Sequence, residues 1–328
     1  MRFRFMNLLA KTCLVLVIIL VSLSAYLRLV HSGIGCADWP ACYGKIGEVP
    51  AATQPLAADD AYQQLVTQSN EPFAWATPLH RLVASVLGLL VVFLAFLSIR
   101  RKRQRLASFA LLALTVYLAV LGIRSGSLHD PAVVMGNLAG GFCMLGLAGW
   151  MVFSDGERRG GSPRIRWLTS AAIAALSVQI LLGGLTSANF AATACQTLPD
   201  CHGSWWPGSS LMKAMDLSRT HEVTGSGQAI GGEERLAIHK AHRLGAVLTS
   251  ILVLLAAFAA LLGGSRYRAV TIVLLLLIAA EFTIGVSAIL SGIPIGLAVA
   301  HNWFAGLLLL ALLKLLALAG RSRSVGER

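Results

Sequence analysis

The chain reads as an all-α integral membrane protein of eight transmembrane helices, arranged as two repeated four-helix halves. Three observations carry that reading. Of 328 residues, 56% are hydrophobic and only 13% charged, about half the charge of a typical soluble domain. Apolar runs alternate with short basic clusters along the whole sequence, the pattern of repeated bilayer crossings. One cysteine–proline–glycine motif and one histidine–arginine–leucine motif each occur twice, in the same order.

The apolar runs fall at about 8–29, 78–98, 107–125, 132–153, 167–187, 237–262, 269–291 and 295–318. Each approaches the roughly 20 residues that a helix needs to cross about 30 Å of hydrocarbon. The first run is long for the apolar core of a cleaved leader and lacks a small-residue cleavage site before the next segment, so it reads as a retained crossing. Basic residues concentrate at Arg2 and Arg4, Arg100 to Arg105, Arg158 to Arg166, Arg266 and Arg268, and Arg321 to Arg328. They occupy every second loop, so those loops are expected on the cytoplasmic side of a bacterial inner membrane, with both termini. The net charge of +12 therefore belongs to topology and anionic lipid. A nucleic-acid-binding surface would gather its cations on one folded face.

Two outer loops are long, about 30–77 and 188–236. The first contains Cys36-Ala-Asp-Trp-Pro-Ala-Cys42-Tyr-Gly44, the second Cys195-Gln-Thr-Leu-Pro-Asp-Cys201-His-Gly203. Both read C-x3-P-x-C-x-G. After each loop a helix opens with His-Arg-Leu, at His80 and at His242. The repeat divides the chain into an N-terminal half, 1–160, and a C-terminal half, 161–328. Each half holds an even number of crossings, so the halves are parallel repeats about an axis along the membrane normal.

Cys36–Cys42 and Cys195–Cys201 lie in an oxidising compartment at a spacing that closes a small loop, so each is a candidate disulfide. A structural staple is the leading reading for Cys195–Cys201. For Cys36–Cys42 a staple and thiol exchange with a partner both stand. Cys13 and Cys143, inside apolar runs, read as small buried hydrophobes.

Ionisable groups inside a membrane are costly and point to function. His80, His242 and His301 lie just inside the second, sixth and eighth helices, all entered from the outer face. Two neutral imidazoles at one depth, with an apolar slot between helices, are what a six-coordinate haem iron needs. That is the reading for His242 and His301; a lone histidine would more simply make a helix–helix hydrogen bond. His239, three residues before His242, shares nearly the same face, as a second metal ligand or a polar group near a propionate. Arg81 and Arg243 suit either a haem propionate, by a charge-assisted fork, or a lipid phosphate reached by snorkelling. His31, His129, His202 and His221 fall in outer loops. Nucleotide and hydrolase motifs (P-loop, GxGxxG after a strand, HExxH, GxSxG) are missing from the sequence.

Ser32-Gly-Ile-Gly-Cys36 with its following motif and the preceding Arg28 resembles the first outer loop of the CtaA-type haem A synthases. Gln179-Ile-Leu-Leu-Gly-Gly184, Ile238-His-Lys-Ala-His-Arg-Leu-Gly245 and Leu297-Ala-Val-Ala-His-Asn302 resemble that family's fifth, sixth and eighth helices. The resemblance covers nearly the whole chain and is most specific in the C-terminal half. It implies an oxidoreductase that converts the C8 methyl of haem O to a formyl group, yielding haem A for cytochrome oxidase. It further implies a haem b held by His242 and His301, a substrate haem O in the N-terminal half at His80, and disulfides in the outer loops. Haem O synthase, an electron donor of unspecified identity and membrane lipid are the implied partners, with no nucleic acid; a homo-oligomer is compatible. The chain departs from the family at two points. Thr77-Pro-Leu-His80 replaces Glu-x-x-His, and Asn137 stands where the fourth helix carries a histidine. A hydroxyl is no carboxylate base near neutral pH, so proton transfer in that half would fall to Glu71, His129 or water. Two other readings remain: a non-catalytic haem carrier or bis-histidine cytochrome b, and a quinone-linked thiol–disulfide oxidoreductase, which leaves the histidines without a role.

The topology has a direct check. Reporter fusions after Arg103 are expected to read cytoplasmic and fusions near Pro55 periplasmic; the opposite pair of results would invert the arrangement.

Overall fold

The structure, a computed structural model, describes residues 2–31, 76–124, 131–154, 161–189, 191–195, 197–218 and 232–320. Cys36, Cys42, Glu71, His129 and His221, and the side chains of His31, Thr77 and Pro78, lie outside the described residues. The eight long helices are α1 (Arg2–His31), α2 (Ala76–Arg101), α3 (Arg105–Arg124), α4 (Pro131–Phe153), α5 (Pro163–Ala188), α6 (Glu233–Leu262), α7 (Ser265–Leu290) and α8 (Ile295–Leu318). Every one is long and apolar enough to cross a membrane. The chain is a multi-pass α-helical membrane protein.

Several helices begin earlier than their apolar runs. α5 starts at Pro163 because Ser162 caps it, accepting from the Ile165 amide, with proline at the first turn, where its missing N–H costs nothing. α6 starts at Glu233, with Glu233 and Glu234 in the first turn, where the helix dipole favours negative charge. Helical hydrogen bonding thus continues past the apolar stretch that hydropathy detects.

Hydrocarbon offers no hydrogen bonds, so the hydroxyls within the helices turn back on their own backbone. Thr169 Oγ1 donates to the Ile165 carbonyl at 2.7 Å, Ser22 Oγ to Ile18 at 2.8 Å and Thr271 Oγ1 to Tyr267 at 2.9 Å. Large apolar side chains such as Leu89, Phe96, Leu276 and Leu290 are exposed on the outer surface of the bundle, where lipid chains take the place of solvent. Cys143 is exposed there too, whereas Cys13 is buried. The expectation of a buried Cys143 is corrected: its face of α4 is turned away from the packed core.

Helix packing follows the chain order. α1 contacts α2, α2 contacts α3, α3 contacts α4, and α4 returns to α1. In the same way α5, α6, α7 and α8 form a closed ring. α1, α4, α5 and α8 join the two rings, through the pairs α1–α8, α4–α8 and α4–α5. Between lipid-bathed helices, close packing and small residues rather than hydrophobicity supply the attraction. Gly184 of α5 lies against Met135 and Leu138 of α4, and Gly149 of α4 against Leu310 of α8.

Beside the C-terminal end of α8, Gly161 packs on the backbone carbonyls of Ala319 and Gly320. A methyl there would collide with main chain, which cannot rotate aside. Gly161→Ala is therefore expected to destabilise the bundle by about 1–3 kcal/mol. Gly122→Ala, where an added Cβ meets nothing within 4 Å, should be neutral. Thermal unfolding of the detergent-solubilised variants checks the contrast.

Candidate functional site

The site forms at the end of the C-terminal ring that carries the Cys195–Cys201 loop, where α6 and α8 bring His242 and His301 together. Their ring centroids are 6.3 Å apart and the ring planes 82° from parallel. Helix spacing sets the depth: His242 is about three turns into α6 and His301 about two turns into α8.

Each imidazole rests on a glycine of a neighbouring helix. An ideal Cβ on Gly183 of α5 would stand 3.1 Å from His242 Cε1, and one on Gly285 of α7 would stand 3.2 Å from His301 Cε1. Four residues before each glycine, one turn along the same face, a polar side chain reaches the Nδ1 atom. Gln179 Nε2 is 3.0 Å from His242 Nδ1 and donates to the His242 carbonyl at 3.0 Å. Glu281 Oε1 is 3.4 Å from His301 Nδ1. Gly245 leaves the room that the Gln179 amide fills.

Four buried atoms here have no hydrogen-bond partner: Gln179 Oε1, Arg243 Nε, Glu281 Oε2 and His301 Nδ1. Unsatisfied buried polar atoms are costly, and together they mark a site shaped for something beyond the polypeptide. With each Nδ1 faced by a polar neighbour, Nε2 of both rings is left as the metal-facing nitrogen. Imidazole–metal bonds of about 2.0–2.1 Å, plus about 1 Å from each nitrogen to its ring centre, put two axial imidazoles roughly 6 Å apart across one metal. The observed separation matches. Among the described residues no cluster of three or more His, Cys, Asp or Glu could hold a bare ion. Two imidazole nitrogens are a donor set that a haem iron takes from protein, so the residues present fit a haem.

A disulfide-bonded loop lies against this end. Cys195 and Cys201 are disulfide-bonded, with Cα atoms 5.4 Å apart. Arg243 Nη1 donates to the carbonyls of Thr197 and Asp200 at 2.7 Å each, and Nη2 to that of Cys195 at 2.8 Å. His239 Nδ1 donates to the Ala191 carbonyl at 2.9 Å. Sequence reasoning put Arg243 beside a propionate or a lipid phosphate and His239 on the face of His242. In the structure both side chains latch α6 to the loop, because the buried loop carbonyls require donors. Nearby, Arg28 of α1 donates to Asn302 Oδ1 at 3.2 Å, tying the residue after His301 to the other ring.

His80 is half-buried on α2, and Arg81 is exposed beside it. α2 packs against α1 and α3, so His80 stands in the other ring, apart from the His242–His301 pair. Asn137 is half-buried on α4. His202 is exposed in the disulfide loop. Glu281, Gly183 and Gly285 were not among the residues read from sequence. A lone acid in the middle of an apolar helix is the signal that identifies Glu281.

Fold and site together define a multi-pass helical membrane protein with a facing pair of histidines at the end of the bundle beside the Cys195–Cys201 loop. The chain belongs to the COX15-CtaA family of cytochrome oxidase assembly proteins, which it matches over residues 7–313. It is 34% identical over 313 residues to a protein named heme A synthase from Shewanella oneidensis, covering 93% of each chain. Proteins of the same name from Neorickettsia sennetsu and Halalkalibacterium halodurans are 25% and 23% identical, over 90% and 96% of this chain and 94% and 96% of their own.

Hydrogen bonds to a charged donor contribute about 1.5–3 kcal/mol each. Losing the guanidinium is therefore expected to raise the loop-opening equilibrium by roughly thirty-fold or more, about 2 kcal/mol. Arg243→Ala should speed reduction of Cys195–Cys201 by dithiothreitol accordingly, measured by alkylation and mass; a wild-type rate would refute the clamp.

Proposed function

We propose that this protein is a haem A synthase, an oxidoreductase of the inner membrane that converts the C8 methyl of haem O to the formyl of haem A. The observation that carries the reading is the His242–His301 pair, 6.3 Å apart with each ring backed by a glycine and a polar partner. Full-length similarity to proteins named heme A synthase supports the reaction. The two rings of helices act as two functional units, 1–160 for the substrate and 161–328 for the resident haem, with both termini cytoplasmic.

In the C-terminal unit His242 and His301 would hold haem b, which when bound would supply one-electron transfer. Gln179 and Glu281 keep each imidazole in one tautomer and rotation. The disulfide loop, latched by Arg243 and His239, keeps water from the outer face. In the N-terminal unit His80 binds the iron of the substrate haem O, and Arg81 faces its propionates at the interface. Asn137 is a poor iron ligand beside imidazole, so the opposite face of the substrate is left accessible to an oxidant or water. Taking the methyl to a formyl group with water as the oxygen source releases four protons and four electrons; an external electron acceptor would take up the electrons, and haem O synthase would deliver the substrate.

Ring planes 82° apart direct the π orbitals of the two imidazoles at different iron d orbitals. A strongly anisotropic low-spin electron paramagnetic resonance signal is expected, and it should vanish in His242→Ala and in His301→Ala. Co-expression with haem O synthase in a host lacking haem A should yield haem A by mass. His80→Ala should abolish that product and keep the low-spin signal. A wild type that forms no haem A, with His80→Ala indistinguishable from it, would instead favour a haem carrier or cytochrome b.

A further inference from the structure

The seam where α1 and α8 join the two rings carries an apolar crevice with a lysine on each helix beyond one end. We propose that this seam binds an anionic phospholipid, with an acyl chain in the crevice and the phosphate on Lys11 and Lys314.

The crevice is built from three helices. Ile18 and Val21 of α1, Leu145 of α4, and Trp303, Gly306 and Leu310 of α8 line about 200 Å³ of space. Leu145 is buried at its base, and Trp303 is 39% exposed at its rim. Gly306 leaves the space beside Leu145 clear, since an added Cβ would stand 3.1 Å from Leu145 Cδ2. Between His301 and Leu318 the exposed residues of α8 are Trp303 and Lys314 alone. About three turns separate them, so they share one face. That face is where α8 meets lipid. Apart from the indole nitrogen the lining is hydrocarbon, which suits a chain of methylenes.

The lysines fall at one end of this crevice. Lys11 precedes Ile18 by seven residues on the same face of α1, and Lys314 follows Leu310 by four on the same face of α8. Arg28, late in α1, donates to Asn302, early in α8, so the two helices run in opposite directions. Both lysines therefore lie beyond the same end of the crevice, by roughly 10 and 6 Å. It is the basic end of the bundle, where Arg100 and Arg101 close α2 and Arg164 and Arg166 open α5.

Cations at this depth need an anion. Lys314 Nζ stands 5.4 Å from the centre of the Phe153 ring, a contact that offsets only part of the desolvation. α1, α4 and α8 contain no Asp or Glu. Both lysines are exposed, and a lysine stem carries its ammonium along apolar surface to the depth of lipid phosphates. A basic pocket between transmembrane helices is an arrangement that holds an anionic headgroup. A neutral isoprenoid would fill the crevice and leave the lysines without a role. Free phosphate would meet the lysines and leave the crevice empty. A phospholipid accounts for both.

Native mass spectrometry of the delipidated full-length protein, titrated with phosphatidylglycerol and separately with phosphatidylcholine, tests the proposal. A lysine near a membrane surface contributes about 1 kcal/mol to anionic-lipid binding, or about fivefold in affinity. The wild type should thus prefer phosphatidylglycerol by roughly twentyfold. Lys11→Gln and Lys314→Gln should each weaken phosphatidylglycerol about fivefold, and the double variant should bind the two lipids alike. Arg105→Gln, at the same end but on α3, which packs on α2 and α4, should leave the preference intact. Ile18→Trp fills the crevice and should weaken binding with both lysines in place. Equal wild-type affinity for the two lipids, a loss in Arg105→Gln as large as in the double lysine variant, or unaltered binding in Ile18→Trp would overturn the proposal. Should Ile18→Trp fail to assemble, the lysine and arginine variants decide alone. A wild type that binds neither lipid and runs as a dimer would assign the groove to a second copy of the chain and overturn it equally.

Discussion

Two imidazoles facing each other within hydrocarbon are the constraint around which the C-terminal ring is built. Lipid offers no hydrogen bonds, so each ring must find its polar partners inside the protein. That requirement accounts for a glutamine and a glutamate on otherwise apolar helices, and for the glycines that let the rings sit close to α5 and α7. It also accounts for the packing order, because α5 must lie on α6 and α7 on α8 for the partners to meet.

The Cys195–Cys201 loop follows from the same constraint. A site near the membrane surface is open to water unless something covers it. The disulfide loop does so, and its own buried carbonyls then need donors. Arg243 and His239, from the turns on either side of His242, supply them. The helix that presents the ligand is thereby the helix that fastens the cover, so ligand position and loop position are mechanically coupled. Arg28 extends the coupling across the ring boundary through Asn302, the residue after His301.

The two rings share topology but not equipment. The C-terminal ring has two histidines, two glycine notches and two polar backings. The N-terminal ring has His80 and Asn137. Such asymmetry suits a division between a resident, six-coordinate haem and a substrate that must bind, react and leave. A fully ligated iron is poised for electron transfer, whereas chemistry on a substrate needs an accessible face.

The amino-acid sequence by itself determined the crossings, the repeat and the histidine pair. Hydrophobic length, cysteine spacing and His-Arg-Leu recurrence are one-dimensional signals, and an ionisable residue in an apolar run stands out without coordinates. Only the tertiary structure decided what surrounds the histidines. Gln179 and His242 are 63 residues apart, and Arg243 finds its carbonyls 43 to 48 residues away. Such partners have no local signature, because their meeting depends on which helix faces which. Glu281 was visible as a lone acid, yet its role required knowing that its face of α7 meets α8. Cys143 and Arg243 show the converse: the types of these residues were plain in the sequence, but exposure and hydrogen-bond partners are properties of rotation about a helix axis, which packing sets.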